Sequence, residues 1–124
     1  MILRNSRTGA VLAERVERAS TALTRMRGLL GRRALPDGEA LLIEPCAAIH
    51  TFFMRFAIDA AFLSRDLRVV RAIPDLSPWR ATRLHRGAAM ALELPRGTLA
   101  RTGTREGDAL ELVQQSRRTP GAAI

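Results

Sequence analysis

The sequence predicts a mainly β domain with one short α-helix, folded as a compact antiparallel β-barrel or sandwich. Three observations predict it. Apolar residues come in short alternating or continuous runs bounded by Gly, Pro, Asn and Asp, which is strand patterning. Only one stretch, starting at Ser20, repeats its apolar residues at helical spacing. Finally, 124 residues, 47% hydrophobic and 26% charged, suffice for one core that buries roughly two thirds of the unfolded surface. A single domain is expected over residues 1–115, with 116–124 as a flexible C-terminal tail.

Residues 1–4 and 10–17 are strand candidates, and the intervening "NSRTG" supplies Asn5, Ser6 and Gly9 for the turn of an N-terminal hairpin. From Ser20, a residue suited to an N-cap, Leu23, Met26 and Leu30 recur one helical turn apart and Gly31 can end the run, so a helix is predicted over 20–31. After the turn Pro36-Asp37-Gly38, "EALLIEP" reads as a buried strand. "AIDAAFLS" and "RVVRAI" flank "RDL" as a second hairpin. "AAMALELP" and "DALELVQ" complete the set. In the first of these, Ala88, Met90, Leu92 and Leu94 are expected inward and Glu93 outward, with Gly97, Gly103 and Gly107-Asp108 making turns.

The net charge of +8 comes entirely from arginine, since lysine is absent. In chain order the arginines are scattered and form no block of like charge, which reads as a diffusely solvated surface rather than a dedicated polyanion site. One cysteine cannot form an internal disulfide, so an oxidising compartment is not required. Arg4 and Arg7 interrupt the N-terminal stretch before any apolar run long enough for a signal peptide or a membrane span, so a cytoplasmic protein without membrane insertion is expected.

Chemistry concentrates in "EPCAAIHTFFMRFAIDAAFLSRD", residues 44–66. Cys46 and His50, with Asp59 or Glu44 as an orienting group, would suit a thiol enzyme, but no glycine-rich loop adjoins them to stabilise an oxyanion. A metal site drawing on Cys46, His50 and Asp59 or His85 rests on a lone C-x3-H, short of the paired elements zinc prefers. No catalytic residue, metal or cofactor is therefore assigned, and an enzyme centred on Cys46 and His50 is the weakest reading. Asp59, flanked by Ile58 and Ala60, needs donors if buried, either Arg55 or nearby backbone amides. Trp79, in "LSPWRATRLHRG", lies among arginines, and its loop is read as a cap on the barrel ahead of a nucleic-acid stacking platform.

The motifs "RMRGLLGR", "LLIEPCAAIHTFFMRFAIDAAFLSRD", "ALELPRG" and "REGDALEL", in this order and spacing, resemble the DUF192 family, also called UPF0127, small bacterial and archaeal proteins of unknown function. The resemblance spans nearly the whole chain and implies a small β-barrel-like domain carrying a short helix. Many members of that family carry a leader peptide; this chain shows none, so their localisation is not transferred. Phe53, Ala57 and Leu67 occupy positions where the family usually has glycine, proline and glycine, so an altered turn is expected at Asp66-Leu67. His50, Thr51, Met54, Arg55 and Asp59 match the family pattern. With Trp79 they form the candidate ligand-binding set of a non-enzymatic or accessory binding module, for a small anionic ligand or a protein segment. The alternative is an RNA- or DNA-binding barrel that uses the diffuse arginines and the Trp79 loop.

Overall fold

The computed structural model describes residues 1–21 and 32–114. In chain order the elements are β1 (Ile2–Asn5), β2 (Val11–Ala13), β3 (Arg15–Ala19), β4 (Glu39–Ile43), β5 (Ile58–Leu63), β6 (Val69–Leu76), β7 (Met90–Pro95), α1 (Thr98–Thr102) and β8 (Leu110–Val113). They form a mainly β single domain of two sheets. The smaller has the order β2-β1-β8 and the larger β3-β4-β7-β5-β6. Every pair is antiparallel except β3 and β4, which run parallel from Arg15 opposite Glu39 to Ala19 opposite Ile43.

Several expectations are refined. The run 10–17 is not one strand, because the chain leaves the smaller sheet after Ala13 and enters the larger at Arg15, with Glu14 alone between. The Glu14 and Arg15 amides both donate to the Gly38 carbonyl, which fixes this switch. The antiparallel expectation holds for every pair but one, since β3 pairs in parallel with β4 across a connection long enough for a crossover. Apart from Ser20 and Thr21, the helix expected at 20–31 lies outside the described residues. The helix that is described, α1, occupies a stretch read as turns and is bracketed by Gly97 and Gly103, both in the left-handed region.

Apolar side chains fill both faces of the larger sheet. On one face Leu63, Leu92 and Leu94 meet Leu3, Leu12 and Leu110 of the smaller sheet and Leu99 of α1. On the other, Leu41, Ile43, Ile58, Ala60 and Phe62 pack with Ile49 and Met54 from the following loop. Every residue of β7 is buried, so Glu93, expected outward, is enclosed as well. Alternation misleads here because a central strand is covered on both sides. Burial pushes the Glu93 carboxyl up to about 7, against the attraction of Arg32, and its Oε2 has no hydrogen-bond partner among the described residues.

A polar knot joins the β1–β2 turn to the approach of β8. Asn5, fully buried, donates from Nδ2 to Thr104 Oγ1 at 3.1 Å and to Asp108 Oδ2 at 3.0 Å. Arg7 grips the same carboxylate, Nε to Oδ1 at 2.6 Å and Nη2 to Oδ2 at 2.9 Å. These bonds, Arg7 first, hold the Asp108 carboxyl well below the usual carboxylate range, and Asp108 in turn raises Arg7.

Candidate functional site

The site is built where two loops cross. Ile49–Thr51 runs antiparallel to Arg80–Thr82, with His50 bridged to Ala81, the Thr51 amide donating to the Arg80 carbonyl at 2.7 Å and the Thr82 amide to the Ile49 carbonyl at 2.9 Å. Thr51 is the knot. Its buried hydroxyl donates to the Ser77 carbonyl at 2.7 Å and accepts from the Arg80 amide at 2.9 Å, and a hydroxyl is the small group able to do both. Its carbonyl accepts from the Trp79 amide at 2.9 Å and from the Met54 amide at 3.2 Å. One residue therefore sets the path of both loops.

What the knot displays is aromatic. Phe53 and Trp79 both sit in the left-handed region, at φ 66° and 65°, a conformation that costs a bulky side chain about 1–2 kcal/mol. The two residues are 70% and 59% exposed, so core packing does not offset that cost. The two rings lie 4.7 Å apart, centroid to centroid, at 59°. Phe52 is 6.2 Å from Trp79 and stacks on His50 at 5.2 Å and 26°. The same two loop segments carry Arg55, Arg80, Arg83 and Arg86, all exposed, and no acidic residue occurs between Glu44 and Asp59 or between Asp75 and Glu93.

The six candidate residues divide. His50 and Trp79 belong to the aromatic row, and Arg55 follows it closely in the chain, exposed and without an ion pair among the described residues. Thr51 and Met54 lie beneath, the first as the knot and the second in the core. Asp59 is elsewhere, 1% exposed on β5. Its Oδ2 accepts from the Leu99 amide in the first turn of α1 at 2.8 Å, and its Oδ1 from the Asp75 amide at 2.9 Å. Both amides need a partner: one is an orphan of the helix start, the other sits where an extra residue bulges β6 out of register with β5. Of the two kinds of donor expected for Asp59, backbone amides supply the bonds and Arg55 does not. Trp79 is no barrel cap, since its ring stands in solvent. Phe52 and Phe53 were missed; the unusual residue at 53 was noticed in the sequence, but nothing there showed that the left-handed backbone would be kept and the ring exposed.

Cys46 follows the cis Glu44–Pro45 peptide, is half-buried, and donates its thiol to the Ala48 carbonyl at 3.0 Å. The imidazole of His50 is engaged with Phe52, whose amide donates to Nδ1 at 3.3 Å. The ring of His85 packs on Phe62 at 4.4 Å with Nε2 buried and unpaired among the described residues. No group of three or more His, Cys, Asp or Glu side chains suited to a metal ion occurs among the described residues. None of the helices described is long and apolar enough to cross a membrane.

Two sheets, a short helix and an exposed ring cluster on crossed loops describe a small β domain. The family model of DUF192, described as an uncharacterized ACR, matches residues 3–112, and the chain belongs to this family. A UPF0127 protein of Pyrococcus furiosus is 32% identical over 112 residues, covering 86% of this chain and 94% of its own length. The fold is similar to a crystal structure of a protein of unknown function from Novosphingobium aromaticivorans, with a TM-score of 0.77, 24% identity, and coverage of 90% of this chain and 82% of that one. It is also similar to a Sinorhizobium meliloti protein provisionally assigned as a transcription regulator, with a TM-score of 0.72, 24% identity and 89% of each chain covered. At that identity the two crystal structures speak for the fold alone.

Proposed function

We propose that this chain is a non-enzymatic binding module, and that its recognition surface is the row His50, Phe52, Trp79 and Phe53 with the arginines beside it. One observation carries the reading: two aromatic residues are held at left-handed φ by Thr51 while their rings remain in solvent. Strain kept at a surface, where packing gives nothing back, points to selection for what the rings touch rather than for stability. Two loop segments that carry four exposed arginines and no acidic residue suit an anionic partner. In this reading Thr51 and Met54 support the surface, and Asp59 belongs to the scaffold. We further take the two sheets as an incompletely closed barrel, supported by the Arg68–Ala109 bridge and the Val69 amide bond to Asp108 at 2.8 Å. We take its compartment as the cytoplasm, supported by the single cysteine.

Thermal and denaturant unfolding of Phe53→Gly and Trp79→Gly tests whether the rings are display or scaffold. A displayed Phe53 predicts a gain of about 1 kcal/mol on substitution by glycine, with Trp79→Gly close to neutral. Losses above about 2 kcal/mol in both variants would make the rings structural and end the proposal.

A further inference from the structure

Resting on that reading, we infer that the partner is a single-stranded nucleic acid, with bases stacked on the rings and phosphates held by the arginines. The first support is the geometry of the row. Four aromatic rings follow one another at centroid spacings of 5.2, 6.2 and 4.7 Å, the first pair stacked and the next two tilted, and splayed bases can stack on the solvent-facing sides of this row. The backbone knot at Thr51 holds the rings in place before anything binds, so little ordering is left to the partner.

Charge is the second support. The crossed loops carry Arg55, Arg80, Arg83 and Arg86, all exposed, and between Glu44 and Asp59 and between Asp75 and Glu93 there is no carboxylate to compete for them. Guanidinium groups pair with phosphate and also stack on bases. A third support is His50. Its Nδ1 accepts the Phe52 amide, so Nε2 is the proton-bearing nitrogen of this exposed ring. That donor suits a base edge or a phosphate and gains nothing from hydrocarbon, which favours nucleic acid over an apolar membrane surface. Little sequence preference is expected, because stacking accepts any base and phosphate pairing carries no base information.

Fluorescence anisotropy of labelled fifteen-nucleotide oligo(dT) and oligo(U), titrated with the full chain at several salt concentrations, tests this, with quenching of Trp79, the sole tryptophan, as a second signal. Binding is expected to weaken with salt at a log–log slope of up to about −3, four arginines at the single-strand value. Trp79→Ala and Phe53→Gly should each weaken binding about tenfold and leave the slope unchanged. Arg55→Ala or Arg83→Ala should flatten the slope by about 0.7 each, while Arg101→Ala on α1 changes neither quantity. Absence of binding to both oligonucleotides at 50 mM salt overturns the inference. So does binding that ignores the ring variants, or ring-dependent binding of phosphatidylserine vesicles or polyglutamate in place of the oligonucleotides. Each of these outcomes leaves the display reading to be judged by the unfolding of the glycine variants.

Discussion

The carboxylates of Asp59 and Glu93 lie on β5 and β7, which pair directly, with Leu94 opposite Asp59 and Ala60 opposite Glu93. Adjacent positions on a pleated sheet point to opposite faces, so the two groups are buried at nearly the same place on different sides. Asp59 meets two amides that have no other use, one from a bulged strand and one from a helix start. Glu93 feels only the attraction of Arg32, and its Oε2 has no hydrogen-bond partner among the described residues. Equal burial therefore gives one side chain that fastens three elements and another that strains its surroundings whenever it ionises. Partners decide which.

Removing the fastener should cost most. Asp59→Ala is expected to lower stability by about 2–4 kcal/mol in denaturant unfolding, because it strands both amides. Asp59→Asn should cost less, since one acceptor oxygen remains. A loss below about 1 kcal/mol for the alanine variant would erase the contrast.

Next comes the pH dependence of Glu93. Its folded pKa, raised to about 7 from an ordinary 4.5, means that the unfolded chain releases this proton first as pH rises. Its ionisation therefore removes stability between about pH 4.5 and 7, by on the order of 3 kcal/mol at most, and Glu93→Gln should abolish that decline. Asp108 acts oppositely. Its depressed carboxyl contributes stability that is present above the ordinary value of 3.8 and lost as pH falls below it. Wild-type stability should then peak near pH 4.5, and Asp108→Asn should blunt only the acid side. A flat profile above pH 5 would mean that Glu93 has found a partner in solution.

The smallest effect sharpens the same lesson with apolar groups. Leu67 and Phe53 share a left-handed φ, 64° and 66°, but Leu67 packs against the core while Phe53 does not. Leu67→Gly should therefore change stability by less than about 0.5 kcal/mol, relief of strain offsetting lost packing. A clear gain, matching Phe53→Gly, would show that the packing of Leu67 contributes nothing.

How far the sequence revealed this follows from the range of each interaction. Strands β4 to β8 were legible because each is bounded by its own turn residues, and the family's motifs spread along the whole chain. Helix α1 was not, since five residues between two glycines are too short for a helical period to show. The break at Glu14 was hidden because both halves of 10–17 look extended, and only the distant Gly38 carbonyl separates them. The altered turn expected at Leu67 did not follow either: leucine keeps the left-handed conformation because its side chain gains a packing site. At the candidate site His50, Arg55 and Trp79 were named, but the crossing that unites them joins residues about thirty apart through Thr51. The arginines seemed scattered because blocks of positive charge were sought. The informative signal was the lack of acids in two segments that fold side by side.

In the smaller sheet, the order β2-β1-β8 has a consequence for synthesis. The strand Ile2–Asn5 emerges before every other described strand, yet its second neighbour, Leu110–Val113, emerges last. Until the ribosome releases that segment, one edge of β1 stays open and Asn5 waits for Thr104 and Asp108. A nascent chain stalled before residue 104 would therefore present an unpaired strand edge to chaperones or to its neighbours on a polysome, and only the arrival of Leu110–Val113 closes it.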